Sequence, residues 1–266
     1  MRLEEGLKNV ILKLSSFFQE QNIPFVIVGA LVPAVLIDLK QGNRSRYGSR
    51  TTRDVDCAIQ INSWNEYDRI KQDMLADGFK EKEGTPEHRL FFEETPVDII
   101  PCGGLLQDGA LYWPQSKRRM KMRGFSELFD KAELVKISKG KSIPFAPLPL
   151  TVFIKIQAYL DRRNTGDIED IFYILTHYED IKMSERRFDI VGQDDLNYEI
   201  AGAFLLGRDL RRSIPSDLIK DMEPFLEMFN DPENPPVPEI ARITYQKSEY
   251  IVSLISAFEK GCGGDR

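Results

Sequence analysis

Apolar positions near the start of the chain change from a helical spacing to a strand spacing. Over Leu3–Gln21 the apolar residues recur three and four apart, which predicts an amphipathic helix that lies against a sheet. The continuous apolar run Phe25–Val28 predicts a buried strand, with a turn at Gly29 and Ala30 and a short helix over Leu31–Leu39. Residues 40–53 are rich in glycine, serine and arginine and predict a loop.

The next segments predict further strands around one helix. Asp54–Ile61 alternates polar and apolar residues as a strand does, and Ser63–Asp77 predicts a helix with Ser63 as its N-cap and Glu66 completing a capping box. A hairpin and a second strand pair are predicted at Arg89–Glu93 with Pro96–Pro101, and at Ala132–Ile137 with Ser142–Phe145. The region between them, which holds Trp113, shows no regular period.

The pattern becomes entirely helical after the proline-spaced segment IPFAPLPL. Helices are predicted at Leu150–Arg162, Ile168–Tyr178, Tyr198–Arg211, Ser216–Phe229 and Glu239–Lys260. We therefore expect an α+β (α/β) domain over residues 1–146, with a mixed β-sheet flanked by helices. An all-helical C-terminal domain over residues 147–266 follows, and we expect it to close a ligand cleft.

Composition excludes several classes of protein. The 266 residues are 42% hydrophobic and 29% charged, which is typical of a folded globular chain. The longest apolar stretch, Phe25–Ile37, is shorter than the ~20 residues of a membrane helix, so no membrane partner is expected. Three separated cysteines indicate neither a disulfide framework nor a zinc site. With no secretory signal pattern at the N-terminus, these features favour a cytoplasmic location.

Three aspartates carry the candidate chemistry. Asp54 and Asp56 point to the same face of their strand, where metal binding and a solvated polar face are about equally probable. Asp98 lies in the apolar segment VDII, where an unpaired charge is costly, so it shifts the balance towards a metal or another cation as partner, unless it lies on the exposed face of an edge strand. If the strands are neighbours, the three carboxylates can hold one or two Mg²⁺ ions against the triphosphate of an NTP substrate, as in nucleotidyl transfer.

Other residues fit the same chemistry less specifically. Gly29 at a strand-to-helix turn would let the backbone approach a phosphate, although most such glycines only make a turn. Arg50 and Arg53 could offset phosphate charge, but a solvated loop explains either one singly. The basic segment SKRRMKMR, Ser116–Arg123, could contact RNA or simply be solvated, and the net charge of −6 argues against a general polyanion binder.

The helical half contributes three more candidates. Lys155 lies on a helix of otherwise apolar period, where it could extend to water or neutralise a triphosphate. Asp167 and Asp170 share a face at the start of the next helix, where acidic residues are favourable in any case. For all three residues the structural interpretation is ahead on the sequence alone.

These motifs in this order resemble a known family. The strings GA, TTRDVDCAI, HRLFF and TPVDIIPCGG, followed by IKIQAYLDRRNTGDIEDIFYIL and AGAFLLGRDL, resemble the polymerase-β-like nucleotidyltransferases. Among these the chain is most similar to the AbiEii/AbiGii-type nucleotidyltransferase toxins of bacterial toxin–antitoxin systems. The resemblance extends over about Phe25–Leu210.

The resemblance implies a Mg²⁺-dependent transfer of NMP from NTP to an acceptor, which in relatives includes tRNA, and a cognate antitoxin protein as partner. The residues that it assigns to nucleotide, metal and catalysis are Gly29, Asp54, Asp56, Asp98, Lys155 and Asp170, and the neighbouring Ala30 and Arg53 are expected to contact the nucleotide as well. Ala30 replaces the usual serine, and Gly166 stands where relatives often have a basic residue. A transferase acting on a small molecule such as an aminoglycoside, and a silent nucleotide-binding partner protein, are the alternative functions.

Overall fold

The computed structural model describes residues 4–40, 52–180, 184–193 and 195–263. Arg50 and most of the predicted loop lie outside them. Eight strands are assigned in this described part: β1 Phe25–Val28, β2 Val55–Ile61, β3 Arg89–Phe92, β4 Thr95–Gly103, β5 Ala110–Tyr112, β6 Arg119–Lys121, β7 Glu133–Ser138 and β8 Lys141–Phe145.

The helices begin and end as follows: α1 Glu5–Glu20, α2 Leu31–Pro33 continued by a π-helical stretch Ala34–Lys40, α3 Trp64–Ala76, α4 Leu128–Lys131, α5 Leu148–Arg162, α6 Thr165–His177, α7 Glu185–Phe188, α8 Tyr198–Ser213, α9 Ser216–Lys220, α10 Glu223–Met228, α11 Pro236–Thr244 and α12 Ser248–Gly263.

Six of the strands form one mixed sheet in the order β3-β4-β2-β1-β8-β7. The pairs β2/β4 and β1/β8 are parallel and the other neighbours are antiparallel. The apolar face of β2 is fully buried, and α1 packs against β2 and β4 through the face that its sequence period predicts. The mixed sheet with flanking helices and the helical C-terminal region confirm the predicted fold class.

The region around Trp113 is more regular than its sequence indicates. Strands β5 and β6 pair as a separate two-stranded hairpin, with Tyr112 opposite Arg119. The carboxylate of Glu87 accepts hydrogen bonds from the backbone N–H groups of Gln115 and Ser116 and from the Ser116 hydroxyl, at 3.2, 2.9 and 2.6 Å. Strands of three residues are too short to show a period, so the sequence did not predict this hairpin.

Two predicted C-terminal helices are each divided in two. The predicted helix over Ser216–Phe229 separates into α9 and α10, and Pro224 lies in the first turn of α10, where proline is tolerated. The predicted helix over Glu239–Lys260 separates into α11 and α12 at Tyr245, which has a left-handed backbone (φ 56°). The short helix α7 was not predicted. Local backbone geometry at the breaks therefore overrides the continuous apolar period.

The described residues form two compact units. One contains residues 4–32 and 52–147, with the sheet. The other contains residues 33–40 together with the helices that follow residue 147. That the helical part closes over the sheet stays a prediction. Among the described residues, no helix is both long enough and apolar enough to cross a membrane.

Candidate active site

The strand register places Asp54, Asp56 and Asp98 near one another on adjacent strands, and we call these three residues the acidic level. Asp56 on β2 is the Cα partner of Asp98 on the parallel strand β4, and on its other side it is the partner of Val28 on β1. Partners on adjacent strands share a face of the sheet, so the side chains of Asp56 and Asp98 project from the same face. Asp54 lies two residues before Asp56 and projects to that face as well.

Gly29 borders this acidic level directly. It follows β1 with a left-handed backbone (φ 77°), and a Cβ atom added there would overlap the carboxylate of Asp56. Glycine is therefore required at position 29 for two separate reasons, the backbone conformation and the close approach of Asp56. Ala30, the next residue, is buried. Arg53, the residue before Asp54, is exposed.

Arg89 on β3 is paired with these acids. Its Nε donates to Oδ1 of Asp98 and its Nη2 donates to Oδ2, both at 2.7 Å, which is a bidentate ion pair. The same Nη2 lies 3.8 Å from Oδ2 of Asp54. The hydrogen bonds that Arg89 donates to Asp98 raise the pKa of Arg89 against the effect of partial burial, and the charges of Asp98, Asp54 and Asp56 add to this increase. All three carboxylates therefore act on one guanidinium group.

Arg89 was not identified from the sequence, although a signal for it exists. The hairpin turn consists of Glu93 and Glu94, both with positive φ, which is typical of the two-residue turns that connect antiparallel strands. With that turn Phe92 faces Thr95, and counting back along both strands sets Arg89 opposite Asp98. The register of the hairpin was therefore the missing information.

Two further side chains fix the surroundings of the acids. The hydroxyl of Thr52 donates to Oδ1 of Asp54 at 2.5 Å. The Nε2 of His88 lies 3.7 Å from Oδ2 of Asp98, and its ring packs against that of Trp113 at an angle of 37°, with centroids 4.9 Å apart. Burial lowers the pKa of His88, which favours the neutral imidazole.

The donor set suits one kind of metal site. Among the described residues, no group of three or more histidine, cysteine or acidic side chains could hold a metal ion by itself. Mg²⁺ commonly binds through one or two carboxylates together with substrate phosphates. Asp56 and Asp98 lie side by side on parallel strands, with Asp54 adjacent, and they fit a site in which one or two carboxylates and the substrate phosphates share the Mg²⁺.

Lys155 and Asp170 lie in the helical unit and are buried. The Nζ of Lys155 is 3.1 Å from Oδ1 of Asp167 and 2.8 Å from Oδ2 of Asp170. Asp167 also accepts two hydrogen bonds from Arg162, at 2.7 and 2.8 Å. The expectation that Lys155 extends to water is wrong here, because the side chain is 8% exposed and is held by two buried carboxylates.

Comparisons with known proteins give likenesses at the level of structure. No family model matches the chain, and no curated protein sequence matches it. The antibiotic-resistance factor ANT(2″)-Ia matches at 12% identity and TM-score 0.41, over 64% of this chain and 83% of its own. An antigenic nucleotidyltransferase-like protein from Paracoccidioides brasiliensis matches at 17% identity and TM-score 0.41, over 65% and 77%.

A third likeness extends over more of the chain. The E. coli MS115-1 CdnC:HORMA-deltaN complex matches at 13% identity and TM-score 0.30, over 96% of this chain and 81% of that one. Because none of the scores quoted exceeds 0.41, the function is inferred from the residues of the site.

Proposed function

We propose that the protein is a nucleotidyltransferase that moves NMP from NTP to an acceptor hydroxyl with the help of Mg²⁺. The observation that supports this most directly is the pairing of Asp56 with Asp98 on adjacent parallel strands, with Asp54 on the same face and Gly29 against Asp56. Oxygen ligands from two strands beside a side-chain-free turn suit a cation that is shared with phosphate.

The three carboxylates would have two different roles, metal binding and proton transfer. Two of the carboxylates would hold the metal, and the third would take the proton from the attacking hydroxyl group. The hydroxyl oxygen forms a bond to the α-phosphorus while the bond to pyrophosphate breaks, and pyrophosphate leaves. When bound, Mg²⁺ supplies charge stabilisation for the triphosphate and for the leaving group. Arg53, exposed beside the acids, would offset phosphate charge.

The resemblance assigns Lys155 and Asp170 to the same reaction, and we retain them as proposed contributors. Their buried ion pair holds the ammonium group of Lys155 in one orientation, as the positioning of a group beside a triphosphate requires. A requirement for Lys155 in nucleotide binding, separable from its effect on stability, would support this assignment.

We propose RNA, with tRNA as the first candidate, as the acceptor. The β5/β6 hairpin exposes Tyr112 opposite Arg119, and Lys117 and Arg118 in its turn are exposed as well. Exposed aromatic rings next to basic side chains favour single-stranded nucleic acid, because bases stack on the ring while the cations contact phosphates. Glu87, which anchors this hairpin, is two residues from Arg89.

The decisive experiment is a labelling reaction. Purified protein is incubated with each labelled NTP, Mg²⁺ and total RNA, and we expect label in RNA that EDTA abolishes. The double variant Asp54→Ala/Asp56→Ala should lose the label, whereas Asp68→Ala/Asp130→Ala, which removes the same charge at exposed positions, should keep it. Label on an added aminoglycoside alone would favour the small-molecule enzyme. NTP binding without any transfer would favour a silent binding protein.

We further propose that the protein acts as the toxin of a toxin–antitoxin pair, supported by the order of the motifs that resemble that family. Expression from an inducible promoter should arrest growth, and the Asp54→Ala/Asp56→Ala variant should not. Arrest that persists unchanged in the folded double variant would contradict a role of nucleotidyl transfer in toxicity.

A further inference from the structure

Arg89 lies beside the acidic residues and contacts two of their three carboxylates. Its guanidinium group uses two nitrogen atoms on both oxygens of Asp98, and one of these nitrogens also lies 3.8 Å from Asp54. The side chain of Asp98 is 11% exposed and that of Arg89 is 29% exposed, so water screens the pair only in part. A cation of the chain itself therefore lies against Asp98 and near Asp54.

Charge explains why this cation is present. Asp54, Asp56 and Asp98 repel one another at one face of the sheet, and without a positive charge this repulsion would destabilise the fold. Arg89 relieves this repulsion with its planar guanidinium group, whose two donors match the two carboxylate oxygens of Asp98. A divalent cation would relieve the same repulsion, but it would be repelled by a guanidinium group that stayed in place.

We propose that Arg89 is an internal counter-ion that must withdraw from Asp98 before a divalent cation binds there, so that metal and nucleotide enter the site together. This inference rests on the proposed function. The triphosphate offers the displaced guanidinium group a new anionic partner, because a planar guanidinium can form the same bidentate pair with phosphate that it forms with a carboxylate. Metal alone offers no such partner.

The proposal makes a specific prediction about affinity. In the absence of nucleotide, Mn²⁺ should bind the unmodified protein weakly, because it competes with Arg89. In Arg89→Met, which has a similar length and no charge, we expect the Kd for Mn²⁺ to fall by about tenfold or more, since the competing charge is gone. Arg89→Lys keeps the charge but cannot form the bidentate pair, so it should give an intermediate Kd for Mn²⁺.

The affinity is measured by the electron paramagnetic resonance signal of free Mn²⁺, which needs no catalytic turnover. Arg69→Met is the matched control, because Arg69 is exposed on α3 and its loss changes the net charge equally. Adding Asp98→Asn to Arg89→Met should remove the gain in affinity. Thermal unfolding with and without Mn²⁺ reports whether each variant is folded, and Mn²⁺ should raise the Tm of Arg89→Met more than that of Arg69→Met.

The outcomes separate the two proposals. If folded Arg89→Met has a Kd for Mn²⁺ equal to or higher than that of Arg69→Met, the role of Arg89 is overturned. If Mn²⁺ still binds in the presence of NTP, the transferase proposal remains standing in that case. Absence of Mn²⁺ binding in every variant, with and without NTP, overturns both. A gain in affinity that survives Asp98→Asn places the metal elsewhere and overturns the role of Arg89.

A second measurement uses the unmodified sequence. Protein labelled with ¹⁵N-arginine shows side-chain Nε–H signals, and that of Arg89 is identified by its absence from Arg89→Met. We expect this signal to shift and to exchange faster with solvent when Mg²⁺ and a non-hydrolysable NTP analogue are added together. A signal that stays unchanged while both are bound would show that Arg89 remains on Asp98, and would overturn the proposal.

Discussion

The backbone of Gly29 lies so close to the carboxylate of Asp56 that no side chain can be accommodated at position 29. The two residues come from antiparallel neighbours, since Asp56 is paired in register with Val28, the residue before the glycine. The turn after β1 and the acidic face of β2 therefore depend on each other. A change at either residue should move the other.

Replacing Gly29 with alanine should therefore have two effects. The left-handed backbone should cost roughly 1–2 kcal/mol, and the overlap with Asp56 should add to that and displace the carboxylate. Gly140→Ala is the matched control, because Gly140 has the same φ of 77° with no atom within 4 Å of an added Cβ. We expect Gly29→Ala to lower the free energy of unfolding more than Gly140→Ala does. Only Gly29→Ala should reduce the labelling of RNA. Equal losses in both variants would contradict the close contact.

The buried ion network of the helical unit predicts an order of stabilities. Lys155→Met removes the cation between two buried carboxylates and should lower the free energy of unfolding by about 3–5 kcal/mol. Arg162→Met should cost less, roughly 1–2 kcal/mol, because the side chain of Arg162 is 59% exposed and Asp167 keeps Lys155 as a partner. Denaturant unfolding measures both values. The reverse order would be incompatible with this network.

Asp167 also predicts a dependence of stability on pH. Burial alone would raise its pKa, but the hydrogen bond from Arg162 and the charges of Lys155 and Arg162 outweigh it and hold the pKa below its ordinary value. The ionised form therefore stabilises the fold above the unfolded pKa of about 3.9, and this contribution is lost as the pH falls through the folded pKa.

The test compares the protein with Asp167→Asn in denaturant at several pH values. Their difference in free energy of unfolding should be constant from about pH 6 to 8 and should shrink below about pH 4. Asp130→Asn, at an exposed position, provides the control and should show a much smaller change. A difference that grows as the pH falls would have the wrong sign for a lowered pKa.

The basic hairpin predicts a selective effect on the acceptor. Charge reversal by Arg118→Glu/Arg119→Glu should raise the apparent KM for RNA by about tenfold or more at low salt, because both cations would contact phosphates. Binding of NTP and Mn²⁺ should stay unchanged. Lys131→Glu/Lys139→Glu makes the same charge change at exposed positions of the same unit and should leave the KM near its original value. Similar increases for both double variants would indicate only a general charge effect.

Local pattern accounted for much of the sheet. The strand over Phe25–Val28 was predicted with its observed bounds, and β2 and β4 were predicted within a few residues, because their apolar alternation is a property of neighbouring residues. The same alternation placed Asp54 and Asp56 on one face. The short strands β5 and β6 were not predicted from the sequence, and neither were the breaks that separate α9 from α10 and α11 from α12. Too few residues carry a pattern that would indicate them.

The sequence by itself determined which faces of the strands are apolar, which acids project from the opposite face, and where glycine is needed at a turn, because each depends on residues within a few positions of one another. Only the tertiary structure decided that Asp56 lies beside Asp98, that Arg89 holds Asp98, and that Lys155 is enclosed by Asp167 and Asp170. These relationships depend on strand order, hairpin register and helix packing, which bring together residues that no local period relates.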